Sequence, residues 1–143
     1  MNASTSEQVA LIGGIYSNHI ALEAALSDIS SRNIGSIYCL GDLGAFGPHP
    51  DRVYPLLKAH SVKTLVGNYD DSLARNLPDC QCGYTDPRDN HFARLSYQYT
   101  YRNTSEENRS WLQTLPEEIR FELAGRKVLL CHGSPRRQNE FLW

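Results

Sequence analysis

Three short apolar runs, each stopping at a glycine beside a polar side chain, constrain this chain more than any other feature. Ser36-Ile37-Tyr38-Cys39-Leu40 ends at Gly41-Asp42, and Val62-Lys63-Thr64-Leu65-Val66 ends at Gly67-Asn68-Tyr69-Asp70. Lys127-Val128-Leu129-Leu130-Cys131 runs into His132-Gly133-Ser134-Pro135. Such runs read as buried strands, and the glycine at each end permits an unusual backbone angle or a close approach. Strand ends carrying an Asp, an Asn and a His are suited to converge on one hard or borderline metal ion in an open α/β sheet. Two oxygens and an imidazole from Asp42, Asn68 and His132 suit Mn, Fe or Zn better than a Cys-rich structural zinc site would. Taken singly, Asp42 and Asn68 could cap helices and His132 could be a core histidine; the joint pattern favours a site.

The rest of the chain supplies the layers around those ends. Gln8-Val9-Ala10-Leu11-Ile12 reads as a first buried strand after a frayed tail at 1–7. Gly13-Gly14 then breaks it, and Leu22, Ala25, Leu26 and Ile29 recur at helical spacing behind a cap near Ser17 or Asn18. A helix with Val53, Leu56, Leu57 and His60 on one face follows the second strand. Pro55 either kinks that helix or sits in its first turn. Strand–helix alternation to this point predicts a mainly parallel sheet with flanking helices.

Beyond Asp70 the pattern changes. Residues 76–87 read as an irregular excursion, Asp86-Pro87 opens a helix in which Phe92, Leu95 and Tyr99 share a face, and Thr104 and Glu107 have capping-box spacing before another. Alternation at Ile119, Phe121 and Leu123, a turn at Ala124-Gly125 and the run 127–131 predict a hairpin.

A chain of 143 residues fits one domain, 1–143, with a proper core. Its net charge of −2 gives no reason to expect nucleic-acid binding or attraction to an acidic membrane. No run is apolar for long enough to span a bilayer and the first residues lack signal-peptide character, so cytoplasm is the expected compartment. Free thiols at Cys39, Cys80, Cys82 and Cys131 suit it. Cys80-x-Cys82 does not match the spacing of common zinc modules.

Gly41-Asp42, Gly67-Asn68-x-Asp70 and His132-Gly133, in that order, resemble three signature blocks of the calcineurin-like metallophosphoesterases, from about Val9 to the C-terminus. The resemblance implies an α/β fold like the first half of a four-layer sandwich. It also implies a divalent metal ion and hydrolysis of a phosphate-ester substrate by a metal-activated water. Asp42, Asn68 and His132 would then hold the ion, Asn18 and Arg136 would orient phosphate, and Tyr69 with Asp70 would line the site. Arg136 and Arg137 also read as solvated surface.

The sequence departs from the family pattern at three places. The first block, an Asp-x-His pair after the first strand, reads Gly14-Ile15-Tyr16 here, and the usual Gly-Asn-His-Asp/Glu reads Gly67-Asn68-Tyr69-Asp70. Related proteins continue to a Gly-His-x-His block, whereas this sequence stops at Phe141-Leu142-Trp143. That apolar end is expected to leave a surface for a second copy or a completing partner chain. Two functional expectations follow: a metal-dependent phosphoesterase, and a non-catalytic module of the same fold that binds a metal, a phosphate ligand or another chain.

Overall fold

The computed structural model describes residues 8–142; the expectations placed on residues 1–7 and on Trp143 lie outside them. The strands Val9–Ile12 (β1), Ser36–Cys39 (β2) and Lys63–Thr64 (β3) form a parallel sheet in the order β1-β2-β3. The register sets Ile12 opposite Cys39 and Cys39 opposite Thr64, so all three strands end at the same edge. The α/β class and parallel sheet expected from the strand–helix alternation are what the chain adopts.

The helix His19–Ser31 (α1) crosses from β1 to β2, and Asn18 caps it by accepting from the Ala21 N–H at 3.0 Å. Its buried stripe is Leu22, Leu26 and Ile29, three of the four residues that the spacing predicts. A 3-10 turn at Pro50–Arg52 leads into Val53–Ala59 (α2), which places Pro55 in the first turn, where its missing N–H removes no helical bond. Leu26, Leu57 and Val53 are fully buried between these helices and one sheet face, each contributing roughly 1.5–3 kcal/mol of burial.

The opposite sheet face is covered by the hairpin Glu118–Leu123 (β4) and Arg126–Cys131 (β5), a separate antiparallel sheet. Tyr38 on β2 stacks on Phe121 on β4, ring centroids 4.7 Å apart, and Leu65 and Leu130 close the contact.

Two expectations need correction, and one helix is without a sequence signal. The short helix Asn68–Ala74 (α3) follows β3 after Leu65, Val66 and Gly67, where the sequence shows a motif but too few apolar residues to reveal a helix. In the helix Pro87–Arg102 (α4) the expected apolar face of Phe92, Leu95 and Tyr99 is exposed; the buried residues are Ala93, Tyr97 and Thr100. Tyrosines bridge α4 to α3: the Tyr97 hydroxyl donates to the carbonyls of Ser72 and Leu77, and the Tyr69 hydroxyl donates to Thr100. The helix Glu106–Leu112 (α5) is capped by Ser105, which accepts from the Asn108 N–H, one residue later than the Thr104–Glu107 spacing suggests. Among the described residues no helix is long and apolar enough to cross a membrane.

Candidate metal centre

The site exists because two strand-end loops cross at glycines. Gly41 has φ +86°, and a side chain there would run into the backbone of Gly67, whose Cα would lie 2.7 Å from its Cβ. A Cβ on Gly67 would in turn lie 2.6 Å from the Asp42 nitrogen and 3.1 Å from the His132 ring. Without those Cβ atoms the ends of β2, β3 and β5 close onto one another. Asp42 itself holds a left-handed φ of 56°, a conformation that costs a non-glycine residue energy and is concentrated at functional sites.

Asp70 fixes the crossing. It is completely buried, and its carboxylate accepts from the backbone N–H of Asp42 at 2.8 Å, Leu43 at 3.0 Å and Gly67 at 3.0 Å. Burial and the nearby Asp42 charge push its carboxyl up to about 7, against the pull of those three donors. Asp42 is raised as well, by burial first, with His132 and the Tyr69 N–H opposing. Two neighbouring carboxyls in one dry site leave a place where positive charge is welcome.

The donor set meets there. His132 Nε2 lies 3.1 Å from Asn68 Oδ1 and 3.5 Å from Asp42 Oδ1. His132 Nδ1 lies 2.6 Å from the Leu40 carbonyl, which can only accept, so Nδ1 carries a proton and Nε2 is the ring atom turned toward Asn68 and Asp42. Asn68 turns its oxygen toward the ring, because its Nδ2 donates to the Cys80 carbonyl at 2.9 Å. Two oxygens and one imidazole nitrogen therefore face one point. Separations of 3.1–3.5 Å are close to the edges of a tetrahedron with metal–ligand bonds of about 2.0–2.1 Å. Among the described residues no group of three or more His, Cys, Asp and Glu side chains could hold an ion; this set needs the Asn68 amide. The donor chemistry fits one divalent ion.

Of the other predicted site residues, Tyr69 lines the cleft over the donor set and its N–H donates to Asp42 Oδ1 at 3.3 Å, while its hydroxyl donates to Thr100 Oγ1 at 3.1 Å. Asp70 is enclosed as described. Asn18 spends its side-chain oxygen on the α1 cap and lines a separate, larger cleft of about 650 Å³. Arg136 is exposed and paired with Glu140 at 2.6 Å. The cleft over the donor set, about 230 Å³, is walled also by Tyr16, Phe46, Cys82, Tyr84, Gln138, Glu140 and Phe141, most of which the sequence did not mark. Tyr16 was visible only as a departure from a motif. The expectation of four free thiols fails at Cys80 and Cys82, which form a disulfide; Gln81 between them takes a left-handed φ of 52° and folds one onto the other.

A parallel sheet delivering Asp, Asn and His to one point from three strand ends, with a hairpin carrying the His, defines a metallophosphoesterase-like architecture. Residues 8–141 match the calcineurin-like phosphoesterase superfamily domain, and the chain belongs to that family. An uncharacterized protein of Methanocaldococcus jannaschii is 31% identical over 128 residues, covering 90% of this chain and 50% of the relative. The crystal structure of a hypothetical protein from Pyrococcus horikoshii superposes with a TM-score of 0.75 at 26% identity, over 92% of this chain and 57% of the other. That of a metallophosphoesterase from Sphaerobacter thermophilus gives 0.66 at 28% identity, over 94% and 50%. The chain thus spans about half the length of the curated relative it matches.

Proposed function

We propose that this chain holds one divalent ion, Mn, Fe or Zn, at Asp42, Asn68 and His132 and uses it to hydrolyse a phosphate ester. The observation that carries the reading is the meeting of His132 Nε2, Asn68 Oδ1 and Asp42 Oδ1 at one point, 3.1–3.5 Å from the ring nitrogen to each oxygen. Membership of a phosphoesterase family supports the reaction class. When bound, the ion supplies Lewis-acid charge that makes water a better nucleophile and offsets the phosphoryl charge.

The chain's own residues do the rest. The Leu40 carbonyl orients the His132 ring, and the Cys80 carbonyl turns the Asn68 oxygen toward the ion. Asp70 holds the Asp42 and Gly67 backbones in register. Tyr84 and Phe141, ring centroids 6.2 Å apart, line one side of the cleft.

A second reading, a module that binds the ion and a phosphate ligand without turnover, is favoured by one observation. The Tyr69 hydroxyl is given to Thr100 and Asp70 is enclosed, so no general acid among them reaches a leaving group.

Isothermal titration with Mn²⁺ and Zn²⁺, followed by turnover of bis-p-nitrophenyl phosphate, tests both readings. One ion per chain is expected, lost in Asp42→Ala and bound more weakly as pH falls, because protons compete for the same ligands. Turnover that tracks ion occupancy selects the enzyme; phosphate binding without turnover selects the module. Ion binding unaffected by Asp42→Ala would remove both.

A further inference from the structure

Gly14 and Tyr16 stand where the family pattern has its Asp-x-His pair, and here those two residues fit each other instead. A Cβ on Gly14 would lie 2.7 Å from the Tyr16 hydroxyl oxygen and 2.8 Å from its ring Cε2, with the ring Cζ closer still. The phenol ring lies over position 14 and fills the volume into which a carboxylate there would project. Glycine at 14 is therefore the condition for this placement of Tyr16, and no residue at either position offers a ready metal ligand.

The ring is held in place from several sides. Tyr16 has φ 52°, and its N–H donates to the Asp42 carbonyl at 3.1 Å, which ties the residue to the loop that carries the metal ligand. The ring leans on Phe46, centroids 5.5 Å apart, and the two side chains stand between the small cleft over the donor set and the larger one beside α1. Tyr69, the other tyrosine beside the ligands, gives its hydroxyl to Thr100. For the Tyr16 hydroxyl no hydrogen bond is found among the described residues, although Tyr16 lines the cleft that contains Asp42, Asn68 and His132.

We propose that Tyr16 takes the place of the absent Asp-x-His pair: its ring closes the space a carboxylate at position 14 would fill, and its hydroxyl donates a hydrogen bond to a phosphoryl oxygen of a ligand bound at the single ion. The proposal rests on the metal reading of Asp42, Asn68 and His132. A phenol suits the task as a donor, not as a ligand. A phenol ordinarily ionises at a pH of about 10, so it has a proton to donate at neutral pH. A neutral donor aimed at a phosphoryl oxygen supplies part of what a second cation would, namely a partner for developing negative charge, without the charge itself.

Titration of the chain with Mn²⁺, then of the Mn²⁺-loaded chain with inorganic phosphate, tests this on three proteins: the unaltered chain, Tyr16→Phe and Gly14→Ala. One ion per chain is expected in all three. Phosphate affinity should fall about tenfold in Tyr16→Phe, the usual effect of losing a hydrogen bond to a charged group. Gly14→Ala should show a similar fall although the hydroxyl is still present, because the new methyl displaces the ring. Unchanged melting temperature and ion affinity in Tyr16→Phe would separate this role from a packing role. Two ions on the unaltered chain would overturn the proposal. So would phosphate affinity that stays put in Tyr16→Phe, or phosphate failing to bind the loaded chain at all. One ion with unmoved phosphate affinity sinks this inference alone, whereas no ion at all sinks the metal reading beneath it.

Discussion

Cys39 closes β2 three residues before Asp42, and it shows how tightly the strand end is packed. It has no exposed surface, and its sulfur sits 3.8 Å from the Gly13 carbonyl. Burial pushes its thiol up to about 12, with backbone contacts at Gly41 opposing and the charges of Asp70 and Asp42 adding. At pH 8 about one molecule in ten thousand would carry the thiolate, so native Cys39 should react with iodoacetamide roughly a thousandfold more slowly than in urea. The same shift has a sign for stability. The folded thiol keeps its proton over the range from 9 to about 12 in which the unfolded chain loses it. Stability from this group is intact below that window and falls as pH rises through it. Cys39→Ala should therefore lose less stability than the unaltered chain between pH 8 and 10 in urea titrations. Prompt native labelling of Cys39, located by mass spectrometry, would contradict the packing described here.

At the scale of elements, α1 divides a structural role from a functional one. Asn18 was singled out by the motif as a phosphate contact, yet its oxygen caps α1, so Asn18→Ala should cost about 1 kcal/mol in urea denaturation. A loss of phosphate affinity at unchanged stability would restore the substrate role instead. The elements legible in the sequence were those in which one local signal suffices: the apolar runs of β1, β2 and β5, the alternation of β4, the Asn18 and Asp86 caps. Asp86 does accept from the Arg88 N–H at 2.7 Å as its position before Pro87 suggests. What stayed hidden depended on partners distant in sequence. The face of α4 that is buried is chosen by the acceptors Ser72 and Leu77, so Phe92 and Leu95, though more apolar, are left outside. The convergence of Asp42, Asn68 and His132 was readable because all three end apolar runs. The enclosure of Asp70 was not, because it follows from α3 starting at Asn68, soon after β3.

At the scale of the whole molecule, the proposed metal site joins two sheets that share no strand. β4 and β5 are held to the parallel sheet by the Tyr38–Phe121 stack, the Leu65–Leu130 contact and the bond from His132 to the Leu40 carbonyl. Two of the three proposed ligands belong to the parallel-sheet side, Asp42 after β2 and Asn68 at the start of α3, while His132 follows β5. An ion bound by all three is a cross-link between the layers, and ligand binding to the folded state alone stabilises it by about 2.7 kcal/mol at a hundredfold excess over the dissociation constant. The effect should not spread evenly. Amide exchange in the second half of β5 and at Gly133 should slow on adding Zn²⁺ or Mn²⁺, because opening of the hairpin away from the sheet would now have to break the ion's coordination. The middle of α4, which touches no ligand, should change little. His132→Ala should abolish the slowing while leaving the hairpin paired, since the β4–β5 ladder uses no atom of that ring. Uniform slowing across the chain, or slowing that persists in His132→Ala, would show that the ion binds somewhere other than the junction of the two sheets.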